Sequence, residues 1–230
     1  KDKSFKPVIE YAINMSDVVT VVSNDLKRET QAHFNITKNI NTIPNFIDLD
    51  LYCNLDDDKL RNNFANEKEA IITHVSNFRK VKRVNDVIKI FEKVNQKIAS
   101  KLLMIGDGPE RITAEQLCRN LGLQNKVCFL GKFKVIENIL AISDVFLLPS
   151  ETESFGLVAL EAMASKTPVV STNSGGITEV NIEGKTGFLS DVGDVNKMSA
   201  DIIKLLSNSE LLESFKINAL DHAKSFSINN

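Results

Sequence analysis

The chain has 230 residues, of which 43% are hydrophobic and 25% charged, and a formal net charge of -2. That length holds one large domain or one and a half ordinary ones, and the near-neutral balance excludes a global basic field for nucleic acid or anionic lipid. No apolar run approaches the roughly 20 residues of a membrane helix, and no secretory signal is visible. Cys53, Cys118 and Cys128 have no close-paired spacing, which argues against a disulfide framework or a Cys-based zinc site and fits a reducing cytoplasm.

The chain opens at Lys1 on a polar stretch that reads as the tail of a larger layout, so a fragment is expected. Val18 to Val22 reads as a strand, with Ser23 or Asn24 capping a helix to about Phe34. In "NINTIPNFIDLDLY", Ile40 and Ile43 suggest a short strand and Pro44 stops any helix, which looks like a crossing between domains. The polar stretch "NLDDDKLRNNFANEKE" reads as an exposed helix plus turn.

From Ala70 the pattern alternates regularly. Strands are expected at Ile71 to Val75, Leu102 to Ile105, Val127 to Leu130, Val145 to Leu148 and Val169 to Ser171. Between them come helices near Arg83 to Val94, Pro109 to Leu121, Val135 to Ala141 and Gly156 to Ala164. Helices near Asp194 to Leu206 and Glu210 to Ala223 close the chain. The strands are short continuous apolar runs, as parallel strands buried on both faces should be. The fold class is therefore α/β, a doubly wound parallel sheet.

In such folds ligands sit at the carboxyl ends of the strands. After the first strand, "HVSNFRKVKRV" brings Arg79, Lys80, Lys82 and Arg83 together, either as a solvated basic turn or as an anion clamp beside a helix N-terminus. "GDGPER" starts like a dinucleotide fingerprint, but Arg111 stands where the third glycine belongs. A tight turn with Pro109 at a helix start explains it as well. In "GKF", backbone groups at Phe133 could read the edge of a base, or form a plain turn.

After the fourth strand comes "SETESFGLVALEAMA". Thr152 or Ser154 can cap the helix, with Phe155, Gly156 and Leu157 in its first turn, where free N–H groups and the helix dipole suit a diphosphate. Glu153 and Glu161 would stand roughly 12 Å apart if both were helical. Retaining glycosidases place their carboxylates about 5–5.5 Å apart and inverting ones about 6.5–9.5 Å apart, so a hydrolase pair is disfavoured. Glu161 sits among apolar residues and, being partly buried, needs a partner: ligand hydroxyls or a structural cation. "TNSGGITE" supplies Gly175, Gly176 and Glu179, a loop or a wall of a sugar pocket.

Together, these residues resemble the GT-B glycosyltransferases of family 4, the retaining nucleotide-sugar enzymes. "ETESFGLVALEAMASKTPVVSTNSGGITEV" is similar to their E-x7-E signature, "GDGP" and "FLG" stand at the expected places, and "IPNFID" looks like their interdomain crossing. The resemblance implies a GT-B fold, with residues 1–46 as the end of an acceptor-side Rossmann-like domain and 47–230 as the nucleotide-sugar donor domain. It also implies that Glu153 positions the donor sugar, Glu161 holds the ribose hydroxyls, the backbone of Phe155, Gly156 and Leu157 binds the distal phosphate, and Phe133 meets the base. Lys82 would neutralise the leaving diphosphate. The family's arginine falls on Asn77, with Arg79 two residues later, and Gly106 lies where backbone and ligand approach. The family chemistry uses a UDP-sugar as substrate with no metal or other cofactor.

"HVSNFRKVKRVNDVI" narrows the resemblance to enzymes of bacillithiol biosynthesis that transfer N-acetylglucosamine from UDP-N-acetylglucosamine to L-malate. A homo-oligomer is compatible with the sequence. This stretch alone is expected to bind the UDP portion weakly and transfer nothing. The competing readings are a UDP-sugar epimerase of related fold, a noncatalytic nucleotide-binding module and, least favoured, a dehydrogenase.

Overall fold

The structure, a computed structural model, describes residues 3–52 and 58–228. Cys53 and positions 54–57 of the polar stretch lie outside the described residues.

The larger layer is a six-stranded, all-parallel sheet in the order β5-β4-β3-β6-β7-β8. Its strands are β3 (Ala70–Val75), β4 (Ser100–Ile105), β5 (Val127–Gly131), β6 (Val145–Leu148), β7 (Val169–Thr172) and β8 (Gly187–Ser190). The chain builds outward from β3 to β5, then returns to lay β6 on the other side of β3, with Ile72 opposite Val145. This reversal opens a crevice between the loops that leave β3 and β6.

Helices cover both faces, so adjacent strand residues are buried in opposite directions. Ile72, Leu102, Met104, Val145, Leu147 and Val170 pack with helices α4 (Val84–Asn95), α5 (Arg111–Asn120) and α8 (Val195–Leu206). Phe146, Leu148 and Val169 pack on the other face with α7 (Leu157–Ala164) and the end of α9 (Ser209–Lys224). A separate cluster joins Ile71, Leu103 and Ile105 to Ile139 and Ile142 of and beside α6 (Glu137–Ala141). Two buried faces favour apolar residues on both sides of a strand, which is why these strands read as largely apolar runs, with a few hydrogen-bonded polar residues such as Thr73 and His74 buried among them.

A smaller layer precedes this sheet. β1 (Val19–Val21) and β2 (Ile40–Thr42) pair in parallel around α2 (Asn24–His33), after α1 (Lys6–Met15). Ser23 accepts the Leu26 N–H as the α2 N-cap, and its hydroxyl donates to the Ser154 carbonyl at 2.6 Å. The Glu179 carboxylate accepts from the backbone N–H groups of Asn24 and Asp25, so the first turn of α2 is held by the larger layer. The crossing is pinned at Ile47, whose N–H donates to the Phe226 carbonyl.

The sequence pattern located the strands from β3 to β7 and the helices between them. It missed α1, although Pro7 stands in its first turn, because none of its side chains is buried and no core-facing stripe organises it. It missed β8 because Gly187–Ser190 offers only two apolar residues between glycine and serine. Among the described residues, no helix is long and apolar enough to cross a membrane, and Cys118 and Cys128 are free thiols.

The amino ends of β3 and β6 are fastened by α3 (Asp58–Asn62). Arg61 pairs with Asp144 at 2.8 Å and donates to the carbonyls of Ile142 and Glu69, while the same Asp144 oxygen accepts the Ile71 N–H. Asp144→Ala leaves a strand N–H unpartnered and a largely buried guanidinium without its counter-charge, with only the carbonyls of Ile142 and Glu69 to accept from it. The expected loss is about 3 kcal/mol, read as a lower urea midpoint at unchanged m-value.

Candidate functional site

The loop leaving β3 is shaped by Phe78. Its backbone is left-handed at φ 42°, and its ring is wholly buried, stacked on His74 at 6.2 Å and edge-on to Phe129 at 6.5 Å. A non-glycine residue holds that conformation only where packing over-determines it. With Phe78 anchored, the chain turns through a short 3-10 segment, Lys80–Lys82, into Arg83, also left-handed at φ 50°. The Val81 carbonyl accepts the Glu151 N–H at 2.8 Å, which ties this loop to the one leaving β6.

"GDGP" is explained by packing between loops. Gly106 has φ +123°, and a Cβ there would stand 1.7 Å from the Ser76 carbonyl oxygen. A Cβ on Gly108 would stand 2.0 Å from the Asn77 oxygen. Arg111, in the place of a third glycine, pairs with Glu115 at 2.8 Å and lies over the Phe129 ring.

The start of α7 differs from the sequence expectation. The helix begins at Leu157, its N-cap is Gly156 in the left-handed region at φ 92°, and no side chain caps it, neither Thr152 nor Ser154. Phe155 precedes the helix rather than forming its first turn, and its buried ring packs edge-on against Phe226 at 5.8 Å. The N–H groups at this helix start have no partner four residues back. Glu153 is not helical, so the rise of a helix does not measure its separation from Glu161. It forms a bridge with Gly175, where a Cβ would stand 2.3 Å from its carbonyl oxygen.

These loops enclose a cleft of about 480 Å³ over the carboxyl ends of β3, β4 and β6. Asn77, Lys82, Gly106, Phe133, Glu153, Gly156 and Leu157 all line it. Across it, Lys82 Nζ donates to Glu153 Oε1 at 2.6 Å, both side chains largely buried. Arg79 is exposed on the preceding turn and is not part of the lining, while Asn77 is. Glu161 is also outside the lining. Among the described residues its Oε2 is buried without a hydrogen-bond partner, and burial raises its pKa above the usual carboxylate range.

Sequence reading passed over Ser76, Asp107, Lys132 and Ile136, which also line the cleft. "GKF" carried a signal for Lys132, a cation beside the aromatic residue expected to meet a base. Glu179 is a cap for α2 rather than a pocket wall. Among the described residues, no group of three or more His, Cys, Asp or Glu side chains could hold a metal ion.

The cleft brings a cation, a carboxylate and an open helix N-terminus together at the switch point of a doubly wound sheet, where folds of this class bind their ligands. The chain belongs to the group 1 glycosyl transferases, whose family model matches residues 56–222. It is 46% identical over 211 residues to N-acetyl-alpha-D-glucosaminyl L-malate synthase of Bacillus anthracis, a match covering 91% of this chain and 55% of that protein. It is 32% identical over 136 residues to 2-deoxystreptamine N-acetyl-D-glucosaminyltransferase of Niallia circulans, covering 56% and 35%. The chain thus spans about half the length of the first relative and about a third of the second. Its fold is of the GT-B type. Sucrose-phosphate synthase from Thermosynechococcus elongatus superposes with a TM-score of 0.91 at 24% identity, over 100% of this chain and 59% of that one. The Anabaena HepE protein crystallised with UDP and glucose gives 0.91 at 24%, over 100% and 65%.

His74 lies beneath the cleft and is wholly buried. Its Nδ1–H donates to the Leu147 carbonyl and its Nε2 accepts from the Ser76 hydroxyl, each at 2.8 Å, the pattern of a neutral ring. Burial lowers its pKa from 6.5 to about 4. The unfolded chain therefore binds a proton that the folded chain refuses between those values. The stabilisation is complete above pH 6.5 and is lost as pH falls toward 4. By pH 5 the loss from this group reaches about 2 kcal/mol. His74→Gln should show a shallower fall in stability over that range than the unsubstituted chain, measured by denaturation at each pH.

Proposed function

We propose that this chain carries the donor site of a retaining glycosyltransferase that moves N-acetylglucosamine from UDP-N-acetylglucosamine to L-malate. The observation that carries the transfer reading is the Lys82–Glu153 pair, held in the cleft beside the α7 N-terminus. The donor and acceptor rest on the 46% identical relative, whose name states both the glucosaminyl group and malate. Residues 1–46 would close an acceptor-side domain, and 47–230 would form the donor domain. The matched family and its relatives favour transfer over a UDP-sugar epimerase or a binding module.

In this reading the diphosphate lies against the N–H groups of Gly156 and Leu157, and the uracil sits by Phe133 and Lys132. Glu161 takes the ribose hydroxyls. The bond between the anomeric carbon and the diphosphate oxygen breaks, and its electron pair leaves with UDP. The acceptor hydroxyl oxygen bonds the anomeric carbon on the same face, its proton passing to the departing phosphate oxygen. Lys82 and the helix N-terminus stabilise negative charge where it develops. Glu153, freed from Lys82 by the incoming diphosphate, positions the sugar and faces its positive charge. Asn77, inside the cleft, fills the polar position beside the phosphates that Arg79 does not reach. These groups neutralise the diphosphate without a metal ion.

The whole protein, given UDP-N-acetylglucosamine and L-malate, should release UDP and form an α-linked glucosaminyl malate, read by the anomeric proton coupling in NMR. Lys82→Ala should lower kcat/KM roughly 100- to 1,000-fold. Transfer to other acceptors but not to malate would defeat the narrow reading. A 2-epimer formed without acceptor, and no transfer, would favour the epimerase.

A further inference from the structure

A serine that caps a helix uses its hydroxyl as an acceptor, and the hydroxyl proton is left over. Ser23 is wholly buried, so that proton cannot be given to water. It crosses the seam between the two layers. The hydroxyl accepts the Leu26 N–H at 3.1 Å and donates to the Ser154 carbonyl at 2.6 Å. Ser154 follows Glu153, whose carboxylate pairs with Lys82 across the cleft. The Glu153 carbonyl is held from the other side, by the Gly176 N–H at 2.7 Å. Positions 153–155 belong to no helix or named strand, so no ladder fixes them. Their place depends on these ties and on the Phe155 ring against Phe226.

The seam is shaped for the contact. A Cβ on Gly176 would stand 2.2 Å from the Ser154 carbonyl oxygen and 2.7 Å from the Ser23 hydroxyl oxygen, so only glycine leaves room for both. Glu179, three residues on, seats the same helix. Its carboxylate accepts from the Asn24 N–H at 3.0 Å, the Asn24 side-chain amide at 3.1 Å and the Asp25 N–H at 2.8 Å. Negative charge is favourable at that helix end. The Asn24 side-chain oxygen in turn accepts the Thr42 hydroxyl of β2 at 3.0 Å.

We propose that Ser23 is a positioning residue for Glu153: its hydroxyl, donated across the seam, fixes the peptide beside Glu153 so that the carboxylate faces the sugar of the donor. This rests on the assignment of Glu153 to the sugar under the proposed function. The carboxylate is then in register with the sugar only while α2 is docked, so the smaller layer controls a group that the larger layer supplies.

The test is steady-state kinetics on the whole protein with UDP-N-acetylglucosamine and L-malate, beside calorimetric binding of UDP, which carries no sugar. Ser23→Ala should lower kcat roughly 10- to 100-fold, the size of effect that a small misplacement of a reacting group produces. UDP affinity should stay within about twofold, because only the sugar-facing group has moved. Ser23→Gly keeps a residue that N-caps tolerate but has no hydroxyl to donate, and it should show the same loss. Asn208→Ala removes the N-cap of α9, outside the cleft lining, and should leave kcat unchanged. Full kcat in Glu153→Gln would refute the sugar assignment and the positioning with it. Full kcat in both Ser23 variants, with Glu153→Gln impaired, would refute the positioning alone. Equal losses of kcat and UDP affinity in the Ser23 variants, or a loss as large in Asn208→Ala, would also overturn it, since either marks a weakened fold and not a displaced carboxylate.

Discussion

The site depends on one ion pair spanning the point where the strand order reverses. Lys82 comes from the loop after β3 and Glu153, 71 positions later, from the loop after β6, the two strands being neighbours in the sheet. Nothing local brings them together. The sheet order does so, and the Val81–Glu151 backbone bond fixes the spacing. In the empty cleft each charge satisfies the other, so neither is left buried alone. In the proposed function, a diphosphate takes the place of Glu153 at Lys82 and frees the carboxylate toward the sugar.

The second constraint is the attachment of the smaller layer. Ser23 donates to Ser154, the residue after Glu153, and Glu179 caps α2 from the loop after β7. The crossing is held at Ile47 and reaches the fringe of the α7 core at Tyr52. The two layers therefore meet at residues adjacent to the ends of the proposed donor position, and not at a remote hinge.

What the sequence made legible follows from burial. Strands covered on both faces cannot hide, because both sides of the strand call for apolar residues, and β3 through β7 were readable from their short apolar runs. β8, at the sheet edge, carries too few apolar residues to announce itself, and α1 buries none. The site was legible wherever a residue type implied a task at a strand end, as at Lys82, Glu153, Gly156 and Phe133. It was illegible where the decisive fact was a distant neighbour. Arg79 and Asn77 stand two residues apart, and only the left-handed turn at Phe78 between them decides which one faces the cleft. Phe155 lies beside Gly156, which lines the cleft, and serves the core.

The glycines under the cleft set a limit on how this site can vary. At Gly106, Gly108, Gly175 and Gly176, an added Cβ would collide with the backbone of a neighbouring loop. The loops around the cleft are therefore packed peptide on peptide at these four positions, where no side chain can be added without moving a neighbouring loop. Any retuning of sugar or base preference has to come from the walls, where Lys132, Phe133, Ile136 and Leu157 carry side chains that can change without unseating a loop. Under the proposed function, such a scaffold would hold its backbone geometry constant while its choice of ligand changes at the walls. It also tells an engineer which residues to randomise and which to leave alone.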